Sequence, residues 1–160
     1  MVKTRHLLRE EVTFSDVNTR EDNVLHLLTY HDQQTRFFAE LERQHDLIAT
    51  TVAYHMNIAS DNCSVASLAE WLHGSFNVCI PVHIKDGRTP RVILRIPLPY
   101  RVGEKFQPGN ADEKIRCEAG AYAWLSEYCP TVPIPKLYGF GLSTGKAVRS
   151  HRTRGEADAS

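Results

Sequence analysis

The stretch VCIPVHIKDGRTPRVILRIP, residues 78–97, decides the fold class because it predicts a β-hairpin. Its first part, VCIPVHI (78–84), alternates along its length and is rich in β-branched residues, which favours a strand. Its last part contains a second apolar run, RVILRI (91–96). Between the two runs, Asp86-Gly87 is a strong signal for a tight hairpin turn. The stretch therefore predicts two antiparallel strands.

The residues before this hairpin predict one more strand. VASLAEWL (65–72) is rich in apolar residues and ends at His73-Gly74, where a glycine permits a turn. Residues 66–96 together indicate three antiparallel strands. Pro81 lacks a backbone N–H, so we expect it at a sheet edge or at a bulge.

Arg95 is the unexpected residue of the third strand, because it lies in the apolar run VILRIP (92–97). A guanidinium stays ionised, and removing it from water without a partner is costly. Arg95 therefore either points to water or meets a negative group. An outward-facing arginine is the simpler interpretation when this strand is considered alone.

Helical periodicity appears on both sides of the predicted strands. Residues 21–57 carry an apolar stripe, with a break expected near His31–Gln34 and Asp32 as a cap. A second helix is expected from Ala111 to about Tyr128, capped by Asn110. The residues of the two apolar stripes are Phe37, Leu41, Ile48 and Val52 in the first segment, and Ile115, Ala119, Tyr122 and Leu125 in the second.

These elements predict an α+β fold in which an antiparallel sheet of about four to five strands packs on one helix, after a helical N-terminal extension. The expected divisions are a flexible N-terminus, a helical extension, the sheet-and-helix domain and a disordered tail. A long loop (97–110) and a short strand (136–141) complete the domain. The division boundaries are 1–20, 21–64, 65–146 and 147–160.

The composition excludes several classes of function. The 160 residues have zero formal net charge, which argues against a nucleic-acid binder with a basic surface. No apolar run approaches the ~18–20 residues of a membrane span, and no signal peptide is evident, so we expect a cytoplasmic protein without membrane partners. The four cysteines form no CxxC pair, and the histidines show no zinc-site spacing, so we expect reduced, mostly buried thiols and no metal site.

Three features occur in an order that carries chemistry. A glycine turn joins two strands, a later strand carries Arg95, and a helix then carries Glu118. Glu118 lies between Ile115 and Tyr122 at helical spacing, so it borders the buried stripe and needs a cation as Arg95 needs an anion. Kinases use this order: a glycine turn covers the nucleotide phosphates, a strand cation contacts them, and a helix glutamate orients the cation. Taken singly, Gly74 fits an ordinary hairpin and Glu118 a solvated helix acid.

Three stretches carry a more specific resemblance: HGSFNVCIPV, VILRIPLPYRVGEKFQPGNADEKIRCEAGAYAWL and CPTVPIPKLYGFGLSTGK. They resemble the fungal branch of the aminoglycoside-phosphotransferase-like family, whose members are small-molecule kinases with the protein-kinase fold. The resemblance is strong over residues 66–146 and looser over 21–65.

The resemblance implies the N-terminal lobe of such a kinase and a site for ATP with Mg²⁺. Arg95 matches the strand lysine that contacts phosphate, and Glu118 matches its helix partner. PIPKLYGFG matches the strand entry toward the hinge that holds adenine. The turn residues that match the nucleotide-covering loop are Gly74, Ser75, Phe76 and Asn77.

Two departures from the family pattern limit the implied function. Arginine replaces the usual lysine at position 95, and it cannot reproduce the geometry of a lysine. The sequence also contains no His-Gly-Asp motif, so the catalytic Asp and the metal-binding Asp of the family are missing. We therefore expect a truncated phosphotransferase, inactive by itself, whose small-molecule substrate binds only a full-length form.

Two other interpretations remain open from the sequence. One is a non-catalytic, pseudokinase-like binding or regulatory module that holds nucleotide weakly or pairs with another chain. The other is a poorly folded fragment. A lone N-terminal lobe exposes an apolar face, which leaves self-association open.

Overall fold

The computed structural model describes residues 3–7, 10–18, 27–85 and 89–149. Its elements confirm an α+β fold in which most strand pairs are antiparallel neighbours in the chain. The strands are β1 (Thr4–Leu7), β2 (Glu10–Thr13), β3 (Cys63–Val65), β4 (Leu72–His73), β5 (Asn77–Ile84), β6 (Arg91–Pro97), β7 (Gly139–Gly141) and β8 (Ala147–Arg149). The α-helices are α1 (Phe14–Asn18), α2 (Tyr30–Arg43), α3 (His45–Met56), α4 (Pro99–Val102) and α5 (Asn110–Tyr128).

The central sheet is built on β5. This strand pairs antiparallel with β6 along one edge and with the short strands β3 and β4 along the other. The β5–β6 pairing agrees with the predicted hairpin, whereas the Asp86-Gly87 turn itself lies outside the described residues.

The predicted first strand is wrong in its extent, because the chain forms a 3₁₀ turn at Leu68–Glu70 between β3 and β4. The local cause is a capping box, in which Glu70 Oε1 accepts hydrogen bonds from the Ser67 backbone N–H (3.2 Å) and hydroxyl (3.0 Å). The interruption lies opposite Pro81, whose carbonyl accepts from Ala66 N at 2.9 Å. Because N–H and C=O of a strand residue point the same way, the missing N–H of Pro81 faces this interrupted edge. Pro81 therefore occupies the central strand, not the predicted edge or bulge.

The core lies between one face of this sheet and the helices α2 and α3. Alternate residues of β5 are fully or almost fully buried, and alternate residues of β6 pack against them. The β5 set is Val78, Ile80, Val82 and Ile84, the β6 set is Val92, Leu94 and Ile96, and the helices add Leu41, Ile48 and Val52. This face contains the predicted stripe of the first helical segment.

The helix boundaries differ from the predicted ones in this segment. The break between α2 and α3 is at Gln44, not near His31–Gln34. Asp32 lies inside the first turn of α2, where the positive end of the helix dipole stabilises its negative charge. Thr29 occupies the cap position.

The predicted irregular N-terminus contains regular structure where it is described. Strands β1 and β2 pair antiparallel, and α1 follows directly. Thr13 and Asp16 start this helix by reciprocal capping, with Thr13 N donating to Asp16 Oδ2 at 2.8 Å and Asp16 N donating to Thr13 Oγ1 at 3.1 Å. Val12 and Val17 are buried together beside the residues that precede α2.

The side chain of Glu104 caps the N-terminus of α5, although it lies several residues before the helix. The predicted long loop contains the one-turn helix α4 and then a series of turns. Glu104 accepts hydrogen bonds from the backbone N–H of Gly109 and of Ala111, both at 2.7 Å. It thereby satisfies N–H groups that the helix leaves unpaired. Asn110, the expected cap, instead donates its side-chain amide to Val102 O at 2.8 Å.

The C-terminal hairpin β7–β8 replaces two predicted features. The strand expected at 136–141 begins only at Gly139 and pairs with β8, outside the central sheet. The expected disordered tail began at Ala147, yet Ala147–Arg149 forms β8, and the remainder lies outside the described residues. The hairpin is held because Arg149 lies over the Tyr54 ring, 3.6 Å from its centroid, which is a favourable cation–π geometry.

We predict that Gly139→Ala destabilises the protein, because a Cβ there would overlap the His55 ring and the carbonyl oxygen of Val148. Overpacking of this kind costs about 1–3 kcal/mol. Gly141→Ala is the matched control on the same strand, since its Cβ would be 4.0 Å from the nearest atom. Urea unfolding of both variants measures the difference, and equal stabilities would refute the close packing of β7 on α3.

A second prediction concerns Asp112, which joins α5 to this hairpin. Its Oδ1 accepts from Ser143 N and its Oδ2 from Ser143 Oγ, both at 2.8 Å. The hydrogen bond from the Ser143 backbone, then that from its hydroxyl, lowers the pKa of Asp112 below its ordinary value of 3.8. A lowered folded pKa gives stability that is complete above the unfolded pKa and is lost as the pH falls through the folded pKa.

We therefore expect Ser143→Ala to lose less stability than the wild type between about pH 5 and pH 2. Urea unfolding at constant ionic strength measures these slopes, with Thr144→Ala as the neighbouring control. Parallel pH profiles for Ser143→Ala and the wild type would show that this contact does not lower the pKa of Asp112.

Candidate functional site

The glycine turn connects β4 to β5 at one end of the sheet. Gly74 N donates to Asn77 O at 3.0 Å, and Phe76 O accepts from Leu98 N at 2.8 Å, so both ends of the turn are fixed by backbone hydrogen bonds. Ser75 and the Phe76 side chain are exposed. A Cβ at Gly74 would meet no atom within 4 Å, and its φ is not in the left-handed region. The fold itself does not require a glycine here.

Arg95 lies on the sheet face opposite the core. It pairs with Cys79 across the strands, which makes the buried Asn77 its diagonal neighbour on the same face. With the Asn77 amide oriented by its hydrogen-bonding neighbours, Oδ1 accepts from Arg95 Nε at 3.0 Å and from Nη2 at 2.7 Å. The turn and the arginine strand are therefore connected directly through Asn77.

Glu118 meets two cations, not one. Its Oε1 is 3.4 Å from Arg95 Nη2, which agrees with the predicted ion pair. The same oxygen accepts a hydrogen bond from Lys114, one helical turn earlier on α5. Lys114 Nζ also lies 3.2 Å from Asn77 Oδ1. We call Asn77, Arg95, Lys114 and Glu118 the cationic cluster.

The cationic cluster is half open to water. The side chains of Arg95, Glu118 and Lys114 are 48%, 34% and 21% exposed, respectively. Water and salt screen ion pairs at this exposure, so the Arg95–Glu118 pair contributes little to the free energy of unfolding.

A cavity of about 570 Å³ adjoins the cluster. It lies between β6, the end of α3, α5 and the segment 135–140, and Arg95 and Glu118 both line it. Its other walls are mostly apolar, and its volume is that of a small-molecule site. Apolar residues of the wall include Val52, Met56, Ile93, Ile115, Leu137, Tyr138 and Phe140.

His55 also lines this cavity, and its pKa is shifted. Burial, and then the nearby Arg149 guanidinium, lower the pKa of His55 below its ordinary value of 6.5. The cavity wall at this point is therefore neutral at physiological pH.

The structure brings together three of the six predicted site residues. Asn77 and Glu118 each contact Arg95, whereas the side chains of Ser75 and Phe76 lie in solvent at the turn with Gly74. Sequence reasoning missed Lys114. The signal was available, since Lys114 and Glu118 are four residues apart and opposite charges at this spacing meet on one helix face.

The described residues form no group of three or more His, Cys, Asp or Glu side chains that could hold a metal ion. The four cysteines are free, as expected, but they are less buried than expected, because Cys117 is exposed and Cys63, Cys79 and Cys129 are partly exposed. Within the part of the chain that is described, no helix has the length and apolar character needed to cross a bilayer.

Comparisons with known proteins add no relative to this picture: no family model, no curated protein and no solved structure matches the chain.

We expect a weak coupling between Arg95 and Glu118. Arg95→Met and Glu118→Gln should show an interaction free energy of about 0.2–1 kcal/mol in a double-mutant cycle, since exposed ion pairs lie in this range. Urea unfolding of the four proteins measures it. The same cycle between Arg116 and Glu118 is the control, because Arg116 is exposed on α5. Full additivity for Arg95 and Glu118 would mean that they do not interact in solution.

Proposed function

We propose that this chain binds ATP with Mg²⁺ as the kinase-like N-terminal lobe of an aminoglycoside-phosphotransferase-like protein. The observation that carries the proposal is that a glycine turn, a strand cation and a helix glutamate meet through the contacts of Asn77, Arg95 and Glu118. Hairpins with an outward arginine are common, but that trio beside a cavity is the arrangement that phosphate positioning requires.

The charge of the cationic cluster favours a phosphate ligand. Two cations share one carboxylate, so one positive charge remains for an anion. A guanidinium forms strong, charge-assisted hydrogen bonds with phosphate oxygens. The adjoining apolar cavity provides space for a base, with Tyr138 and Phe140 from PIPKLYGFG in its wall.

Gly74 supports the same proposal by elimination. Neither its φ nor the space around it requires a glycine. A glycine at this position would let a phosphate approach the backbone of the turn closely, because it has no side chain in the way. Ligand binding can therefore explain a glycine that the fold does not require.

The role that we propose for these residues is binding and orientation. Asn77 and Glu118 hold the Arg95 guanidinium, which is directed at phosphate. The Mg²⁺ would arrive with the nucleotide and neutralise phosphate charge, because the described residues provide no cluster of metal ligands of their own. Transfer to a small hydroxyl- or amine-bearing substrate needs a base and metal-binding carboxylates. The 160 residues carry no His-Gly-Asp loop to supply them.

A second candidate function is a non-catalytic, pseudokinase-like module that holds nucleotide without transferring phosphate. Arg95 favours it, because the family has a phosphate-contacting lysine at this position and arginine cannot reproduce the geometry of a lysine. ATP turnover by the purified chain with aminoglycosides and simple amino alcohols as acceptors separates the two functions.

Thermal unfolding with and without Mg-ATP tests the binding proposal. We expect ATP to raise the melting temperature, because a ligand that binds only the folded state adds about 2.7 kcal/mol at one hundred times its Kd. Gly74→Ala should leave the unliganded melting temperature unchanged and reduce this rise, since its Cβ meets only the space where we place phosphate.

Gly120→Ala is the matched control, because its Cβ would also meet no atom within 4 Å but it lies on the exposed side of α5. It should not change the rise caused by ATP. A wild-type melting temperature that does not respond to Mg-ATP would refute the binding proposal, and the absence of any cooperative transition would indicate a fragment that does not fold.

A further inference from the structure

Lys114 occupies the centre of the cationic cluster, although it is neither on the strand nor in the turn. We propose that Lys114 and Arg95 together form a two-cation clamp that selects nucleoside di- and triphosphates over monophosphates. This inference rests on the proposed nucleotide site and assigns its second phosphate-contacting residue. It is carried by the shared contacts of the two cations with Glu118 and Asn77.

The Glu118 carboxylate holds Lys114 more directly than it holds Arg95. Lys114 donates a hydrogen bond to Glu118 Oε1, whereas Arg95 Nη2 lies 3.4 Å from the same oxygen without such a bond being formed. Arg95 is held more closely by Asn77, at 2.7 and 3.0 Å. Glu118 therefore orients the lysine first. Strand β6 has an arginine at position 95 and so provides no ammonium group there. Lys114 on α5 provides one, on a flexible side chain.

Both cations keep hydrogen-bond donors that these contacts do not use. An ammonium has three N–H donors and a guanidinium has five. Lys114 uses two of its donors on Glu118 and Asn77, so one ammonium N–H remains for a ligand. Arg95 uses Nε and Nη2 in its contacts with Asn77 and Glu118, so its Nη1 group remains for a ligand. Two separate donors suit an anion that has charged oxygens on adjacent phosphorus atoms.

The two cations are held close together. The Asn77 oxygen accepts from both of them, and Asn77 is buried. One carboxylate cannot neutralise two cations, and like charges at this separation repel. The phosphates of ATP and ADP carry more negative charge than the single phosphate of AMP, so they offset this repulsion more fully.

A purely structural interpretation is that Lys114 and Glu118 form an ordinary helix pair at a spacing of four residues. The two interpretations differ in how a substitution of Lys114 changes the affinities for different nucleotides. Loss of a helix pair lowers stability and affects all ligands equally. Loss of a clamp residue affects ATP and ADP more than AMP.

The experiment is calorimetric titration of the full chain with Mg-ATP, Mg-ADP and AMP at two salt concentrations. Lys114→Gln keeps a hydrogen-bond donor for Glu118 and removes the charge. We expect it to weaken ATP and ADP about ten-fold, as loss of one charge-assisted contact does, and AMP less than about two-fold. Its ATP affinity should also depend less on salt, because one charge contact is missing.

Arg116→Gln is the matched control, since it removes one positive charge from the exposed side of the same helix. It should change none of the three affinities. Lys114→Arg keeps the charge and should restore most of the preference for ATP over AMP. If Lys114→Gln is unstable, Lys114→Met is titrated in its place, because it keeps most of the length of the side chain and also removes the charge. A purely structural lysine predicts that Lys114→Met has the same ratio of ATP to AMP affinity as the wild type, whereas the clamp predicts a smaller ratio.

The failures of the two proposals are distinguishable. If the wild type binds ATP and Lys114→Gln binds it with the same preference over AMP, the clamp is refuted and the nucleotide site stands. If the wild type binds none of the three nucleotides, both are refuted.

Discussion

The antiparallel pairing of β5 with β6 is the constraint on which the rest of the structure depends. Successive residues of a strand point to opposite faces, so one register assigns every side chain of both strands. Val78 and Ile80 enter the core from one face, and Asn77 and Arg95 share the other. A slip of one residue would bury the guanidinium and expose the core. The burial of the apolar face therefore holds the cationic cluster in position.

Polar contacts near its N-terminus position helix α5 more than apolar burial along its length does. Only Asp112 and Ala119 of this helix are buried. Glu104 caps its first N–H groups, and Asp112 holds the turn of the C-terminal hairpin through Ser143. Because α5 carries both Lys114 and Glu118, these polar contacts determine where the two side chains meet the sheet. The hairpin belongs to the site for this reason, although it lies outside the central sheet.

The sequence predicted what depends on local periodicity. The β5–β6 hairpin and the meeting of Arg95 with Glu118 agree with the structure. The predicted stripe of α5 agrees in part, because Ala119 is buried and Ile115, Tyr122 and Leu125 are partly exposed. Each follows from a spacing of two or of three to four residues, or from the need of a charge for a partner. The break at Gln44 was missed because the apolar stripe continues across it. The turn at Leu68–Glu70 was missed because the apolar run was read as one strand, although the capping box of Ser67 and Glu70 is a local signal for a turn.

The α+β class, the strand that carries Arg95 and the helix that carries Glu118 follow from the order of residues, because hydrophobic alternation and helical spacing are properties of neighbouring residues. Three features of the site depend on tertiary packing: Asn77 accepts from both cations, Glu118 engages Lys114 more closely than Arg95, and the Arg95–Glu118 pair is partly exposed. The physical reason is that hydrogen-bond distances and burial depend on how the sheet and α5 are placed against each other. That placement is determined by contacts such as Glu104 with Ala111, which join segments that have no common periodicity.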